Sequence, residues 1–133
     1  MKYCGIELKS NEARIVSIES DGGAYQLIAT DIKKIKLEDP KAQVAAISFR
    51  RSFAKFFESN NFDKIGIKER GRKGRFAGGS DSFKMEGIIQ TLDYPVELIH
   101  SNTIKAKIKG KTLKTEDLNA YQVEAFKTAL SFL

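Results

Sequence analysis

Residues 62–75 read FDKIGIKERGRKGR, a short apolar run that leads into a carboxylate and then into a basic, glycine-broken loop. Ile65 and Ile67 flank Gly66, and so short a run indicates a buried β-strand rather than a helix. Glu69 stands where the strand ends, flanked by five cations. Strand ends that lead into loops are where α/β proteins place ligand-binding groups. The stretch therefore predicts either a cation site beside a polyanion surface or a solvated basic loop with one surface glutamate.

The composition is typical of one compact globular domain. The chain has 133 residues, 41% of them hydrophobic and 30% charged, which is enough to bury a core unaided. No apolar run approaches the roughly 18 to 20 residues of a membrane helix, and the N-terminal sequence lacks the apolar region of a signal peptide. We therefore expect a single cytoplasmic domain over residues 1–133 with no membrane partner. Cys4 is expected to be a small buried hydrophobe, and no Cys/His spacing indicates zinc.

Positive charge is concentrated in two segments. The formal net charge is +6, whereas residues 68–75 carry +4 and residues 105–114 carry +5, which leaves the remainder negative. This distribution predicts a polyanion-binding surface, although an acidic membrane surface or an acidic protein satisfies it too. The candidate nucleic-acid contacts are Arg70, Arg72, Lys73, Arg75, Lys105, Lys107, Lys109 and Lys111.

The N-terminal third of the chain predicts an antiparallel meander. Residues 3–8 form a nearly continuous apolar run, typical of a central strand covered on both faces. Further strands are expected over 13–19 and about 25–31, joined by tight turns. Glu7 is the anomaly, because a charge within a buried strand costs free energy unless it is paired, metal-bound or at the strand's mouth.

Asp39 and Pro40 predict the start of a helix that runs to about Ser59. Its core-facing stripe is predicted to comprise Val44, Ile47, Phe49, Phe53, Phe56 and Phe57.

The C-terminal half predicts a helix over about 82–92 and a strand over 96–100. Residues 105–109 carry lysine at every second position and form either a short helix or an extended ridge. A last helix is expected from Thr115, as its N-cap, to the C-terminus, with Glu124 on the flank of its apolar face.

This order of elements resembles the ribonuclease H-like fold, an α/β fold with a mixed five-stranded sheet, three strands in an antiparallel meander and two parallel, flanked by helices. In such a fold Glu7 and Glu69 leave adjacent strands, about 4.8 Å apart, at the same end. They would share a divalent metal, with Glu124 from the last helix as the third acid. Ligand sets made only of oxygen suit magnesium or manganese.

Short motifs carry a closer resemblance, to the RuvC-type Holliday-junction resolvases within that fold. They are GIELKS at 5–10, IGIKE at 65–69, SFKMEGII at 82–89, SNTIKAKIKG at 101–110 and VEAFKTAL at 123–130. Together they cover nearly the whole chain. The sequence is also similar to a small uncharacterised proteobacterial family of that fold.

The resemblance implies a divalent-metal-dependent, structure-selective endonuclease with Glu7, Glu69 and Glu124 as catalytic and metal-binding residues, magnesium or manganese as cofactor, and branched or duplex DNA or RNA as partner. The resemblance also allows a homodimer. Two departures weaken the metal site: the family has Asp where this chain has Glu7, and an acid or His where it has Tyr121. The alternatives are therefore a catalytically inactive nucleic-acid-binding protein and a protein-interaction module on the same scaffold.

Overall fold

A computed structural model describes residues 1–71 and 79–133 of the chain. The strands are β1 (Lys2–Lys9), β2 (Glu12–Asp21), β3 (Ala24–Leu27), β4 (Lys34–Lys36), β5 (Lys64–Lys68) and β6 (Val96–Ile99). The helices are α1 (Gln43–Asn60), α2 (Ser80–Gln90), α3 (Ser101–Ile108) and α4 (Val123–Leu130). None of the helices in these two ranges is long and apolar enough to cross a membrane.

All the strands join one mixed sheet in the order β3-β2-β1-β5-β6, with β4 also paired to β2. Strand β2 is antiparallel to β1 and to β3, whereas β5 runs parallel to β1 and to β6. This confirms the predicted mixed α/β architecture with a meander and two parallel strands. The sheet has six strands rather than five, because the predicted third strand ends at Leu27 and a separate short strand pairs Ile35 with Ala13. The ten-residue β2 is long enough for two short strands to share its outer edge.

The hairpin between β2 and β3 follows its predicted turn chemistry. Gly22 and Gly23 have φ values of +57° and +94°, and they connect the paired residues Asp21 and Ala24. A two-residue hairpin turn with positive φ at both positions matches the twist of the flanking strands, and glycine adopts it without steric cost.

The two faces of the sheet bury different clusters. On one face, which we call the phenylalanine face, side chains of the sheet pack against α1 and α2; the cluster includes Cys4, Ile6, Leu8, Ile65, Ile67, Phe49, Phe53, Phe56, Phe57 and Met85. On the other, which we call the α4 face, the cluster consists of Tyr3, Val16, Ile18, Ala125, Phe126, Ala129 and Leu130. Cys4 is fully buried, as predicted, and burial raises the pKa of its thiol.

Gly5 lets α4 approach β1 closely. A Cβ atom added at Gly5 would collide with the carbonyl oxygen of Ala125 and lie 2.5 Å from the backbone nitrogen of Ala129. Only hydrogen fits at this position, so α4 rests directly on the backbone of the central strand.

Helix α1 begins later than predicted. Asp39 lies in a turn in which its carboxylate accepts a hydrogen bond from the Lys41 backbone N–H at 3.0 Å. The helix itself starts at Gln43. Val44 is 79% exposed rather than part of the core, because it lies nine residues from Phe53 and therefore half a turn around the helix axis from it.

Ile47 is also exposed, at 43%, so the predicted apolar stripe was wrong at these two positions and right at the four phenylalanines.

The last helix also begins later than predicted. A single 3₁₀ turn over Ala120–Gln122 precedes α4, which starts at Val123 instead of following Thr115. Asn119 and Gln122 form a capping box, in which the Gln122 side chain accepts a hydrogen bond from the Asn119 backbone N–H at 3.0 Å. Of the two alternatives for the lysine-rich segment, the helix is found, as α3.

Candidate carboxylate site and basic surface

Glu7 is a buried carboxylate on the central strand, 7% exposed. Arg14 lies directly opposite it on β2, and its Nη1 atom is 3.7 Å from Oε1 of Glu7. Arg14 also donates from Nε to Glu12, at 3.0 Å. A cation across the strand pair offsets part of the desolvation cost of this charge. Glu7, the charged residue within an apolar strand, therefore has a cationic partner in Arg14.

Glu124 lies in the first turn of α4 and contacts two lysines. The Lys68 ammonium donates to Oε1 at 2.9 Å, and Lys127 Nζ lies 3.1 Å from Oε2. Partial burial by itself raises the pKa of Glu124, but hydrogen bonds from Lys68 and Lys127 and their charges outweigh it, so the pKa lies below its ordinary value. The positive end of the α4 dipole also favours an acid in this turn.

Glu69 follows β5 in a half-buried position. Its backbone N–H donates to the carbonyl of Ile99 at 2.9 Å, just as the N–H of Ile65 donates to Pro95 at 3.1 Å. The hydrogen-bond ladder with β6 thus continues through Glu69. Because side chains alternate between the two faces along a strand, Glu69 is assigned to the same face as Ile65 and Ile67. Those two side chains belong to the phenylalanine face.

Strand alternation assigns Glu7 to the opposite face of the sheet. Glu7 alternates with Ile6 and Leu8 of the phenylalanine face, and Gly5, two residues before it, lies against α4. Glu7 and Glu69 therefore come from neighbouring parallel strands, as predicted, while strand alternation assigns them to different faces of the sheet.

No group of three or more His, Cys, Asp or Glu residues is placed to hold a metal ion within residues 1–71 and 79–133. Glu7, Glu69 and Glu124 all lie in those ranges, and as placed they do not fit a shared magnesium or manganese ion. Their catalytic and metal-binding roles stay a prediction.

Three cations at this site were not among the predicted functional residues. Lys127 follows Glu124 by three residues, a spacing that brings side chains together on a helix and is visible in the sequence. Arg14 becomes recognisable only from the strand register and Lys68 only from the packing of α4 against the sheet, because their partners come from other elements. Glu86 of α2 is a further buried acid, 4% exposed, on a helix that packs on the phenylalanine face and not at this site.

Tyr121 occupies the position where the resemblance implied an acid or a histidine. The Lys34 ammonium lies 5.0 Å from the centre of its ring and the Arg14 guanidinium carbon 5.9 Å from it. The aromatic face attracts these cations through its quadrupole. Position 121 thus carries an aromatic ring that lies against two cationic side chains, where the resemblance implied an acid or a histidine.

The C-terminal basic segment is exposed. Lys105 and Lys107 lie on α3, and Lys109 and Lys111 follow it; all four are accessible to solvent. Helix α3 buries Ile104 and packs beside α4, so these amines are on the α4 side of the sheet.

Arg70 lies in the other basic segment and is half-buried, with no hydrogen-bond partner for its buried Nε among the described residues. Arg72, Lys73 and Arg75, also predicted to contact nucleic acid, lie outside the described residues.

A family model described as "Protein of unknown function (DUF3010)" matches residues 1–132. The chain belongs to the DUF3010 family. No curated protein matches the sequence of this DUF3010 chain.

Solved structures of junction resolvases share the fold of the DUF3010 chain. Thermus thermophilus RuvC superposes with a TM-score of 0.77 at 11% identity, over 98% of this chain and 92% of the other. RuvC from the same organism in complex with a Holliday junction substrate gives 0.75 at 11% identity, over 98% and 91% of the two chains. Fowlpox virus resolvase with substrate Holliday junction DNA gives 0.58 at 18% identity, over 99% and 96%. The DUF3010 chain therefore has the RuvC-like ribonuclease H fold.

Proposed function

We propose that this DUF3010 protein binds branched or duplex nucleic acid through the basic surface beside α4. The observation that carries the proposal is the group of exposed amines of Lys105, Lys107, Lys109 and Lys111, within and just after α3, on a fold shared with two resolvases that were solved with Holliday junctions. Exposed amines bind phosphates and release condensed counterions, which makes affinity depend on salt rather than on sequence. Arg70, Arg72, Lys73 and Arg75 are proposed to extend this surface.

A double substitution, Lys105→Ala with Lys109→Ala, tests the surface. The matched control is Arg51→Ala with Lys55→Ala, which removes the same charge at the same spacing from exposed positions of α1. Binding to a four-way DNA junction, a DNA duplex and an RNA duplex is measured over a series of salt concentrations with a metal chelator present. For DNA, the α3 variant should bind more weakly and lose about two units of salt slope, whereas the control should change neither.

The loop segment is tested in the same way by replacing Arg72 and Lys73 with Ala. Uniform weakening across sequences and a flatter salt slope are expected, by about one unit for each lost phosphate contact. Equal effects of the α3 variant and the α1 control would refute specific use of this surface. Failure of all three ligands to bind would favour the protein-interaction module instead.

A second candidate function is divalent-metal-dependent cleavage of branched DNA or of an RNA-containing duplex by Glu7, Glu69 and Glu124. The observation in its favour is the buried carboxylate of Glu7 on a central strand whose parallel neighbour, β5, is followed directly by Glu69. Incubation of these substrates with magnesium or manganese tests it, with Glu69→Gln expected to abolish cleavage. Glu7→Asp restores the residue implied by the resemblance, so it should raise a weakened activity. If neither the wild-type protein nor the Glu7→Asp variant cleaves any of these substrates, nucleic-acid binding without cleavage remains as the proposed function.

A further inference from the structure

The amine of Lys68 lies where the predicted metal site was expected. Its Nζ atom is 2.9 Å from Oε1 of Glu124, and the pair joins the end of β5 to the start of α4. The two residues are 56 positions apart, so the fold rather than local sequence brings them together.

Strand register places the same lysine beside Glu7. Ile6 of β1 pairs with Ile67 of β5, and one step further along both strands Glu7 neighbours Lys68. Both side chains have the parity of the α4 face, since Ile6 and Ile67 belong to the other face. Lys68 is therefore flanked by one acid from β1 and bonded to a second acid from α4.

The charges of this cluster already compensate its acids. Glu7, Glu12 and Glu124 supply three negative charges, and Arg14, Lys68 and Lys127 supply three positive ones. A divalent cation entering here would meet acids whose charges are already balanced by side-chain cations, and a carboxylate whose two oxygens are each within 3.1 Å of an ammonium group. Coulomb repulsion and the loss of these ion pairs both oppose metal binding.

We infer that Lys68 is a tethered replacement for a divalent cation, so that the two acids of the α4 face are held by a side chain and the site does not take up magnesium or manganese. This inference rests on the positions of Lys68, Glu7 and Glu124 and is independent of nucleic-acid binding. The protein therefore compensates the charges of these acids without a cofactor. The carboxylate oxygens that metal catalysis would need as free ligands are occupied by ion pairs.

The test compares melting temperatures in chelator and in millimolar manganese or magnesium. Wild-type protein should show no shift. Lys68→Met removes the amine but keeps an unbranched side chain, so Glu7 and Glu124 repel each other and become available as ligands. This variant should melt lower in chelator and regain about 5 °C in manganese at roughly ten times the dissociation constant. Lys64→Met is the control, because it removes the same charge from the same strand and face but from an exposed position over the Phe132 ring.

Direct manganese binding by wild-type protein, followed through the paramagnetic resonance signal of the free ion, provides a second measurement. No saturable binding is expected. Saturable binding that Glu124→Gln abolishes would overturn the inference, as would a folded Lys68→Met protein that does not respond to metal. If Lys68→Met is unfolded in chelator, manganese should restore folding, and failure to do so counts against the inference. Nucleic-acid affinity is measured in chelator, where metal binding plays no part. The inference about Lys68 can therefore fail while the proposed binding function holds, and the reverse is also true.

Discussion

The two faces of the sheet are packed by different means. On the phenylalanine face, large rings fill the space: Phe57 has its ring centre 5.3 to 6.3 Å from those of Phe53, Phe56, Phe62 and Tyr94. On the α4 face, Gly5 and alanines bring a helix directly onto the strand backbone. The phenylalanine face therefore depends on the volume of its rings, whereas the contact of α4 with β1 depends on the missing side chain at Gly5. The face with the close helix is also the one that carries Glu7, Lys68 and Glu124.

The phenylalanine face is the place to remove volume. Phe57→Ala should reduce the free energy of unfolding by about 3–5 kcal/mol, because it deletes a fully buried ring and leaves a cavity. Val44→Ala on the same helix is the control and should change it by at most about 0.5 kcal/mol, since Val44 is exposed. Urea denaturation followed by circular dichroism measures both. Similar losses for the two variants would contradict the assigned orientation of α1.

The α4 face is the place to add volume. Gly5→Ala should cost about 1–3 kcal/mol, because its new methyl group would meet the backbone of α4 rather than a movable side chain. Gly87→Ala in α2 provides the contrast, since a Cβ there meets open space and alanine favours helix, with a gain of up to about 1 kcal/mol. Thermal unfolding of both variants should give shifts of opposite sign. A neutral Gly5→Ala would mean that α4 does not lie on β1.

The smallest expected effect concerns the charged end of the α4 face. Because the folded-state pKa of Glu124 is lowered, its ion pairs stabilise the fold above the pKa of the unfolded chain, and this contribution is lost as pH falls through the folded-state pKa. The melting temperature of wild type should therefore exceed that of Glu124→Gln at neutral pH, and the difference should shrink in acid. Glu116→Gln, at an exposed position, is the control and should lack this pH-dependent difference. A constant difference across pH would show that charge is not its source.

Much of the fold was predictable from local signals. Glycine pairs predict the hairpin turn at Gly22 and Gly23, and apolar runs predict the central positions of β1 and β5. The order of elements then indicates that these two strands are parallel neighbours, which the structure confirms. Two errors arose from competing local signals. Val44 looks like a core residue but lies half a turn around the helix axis from Phe53, and Thr115 is a good N-cap residue but the capping box at Asn119 begins the 3₁₀ turn that leads into the last helix.

The acids of the candidate site could be singled out from the sequence, but their arrangement and their contacts with Arg14 and Lys68 could not. The sequence by itself determined that Glu7 interrupts a buried strand, that Glu69 ends another, and that cations are concentrated in two segments. Which acids share a face depends on strand register and parity, and a shift of one residue reverses the face of every side chain. Only the tertiary structure therefore decided that Lys68, rather than Glu69, stands beside Glu7 and reaches Glu124, because that contact joins elements far apart in the chain.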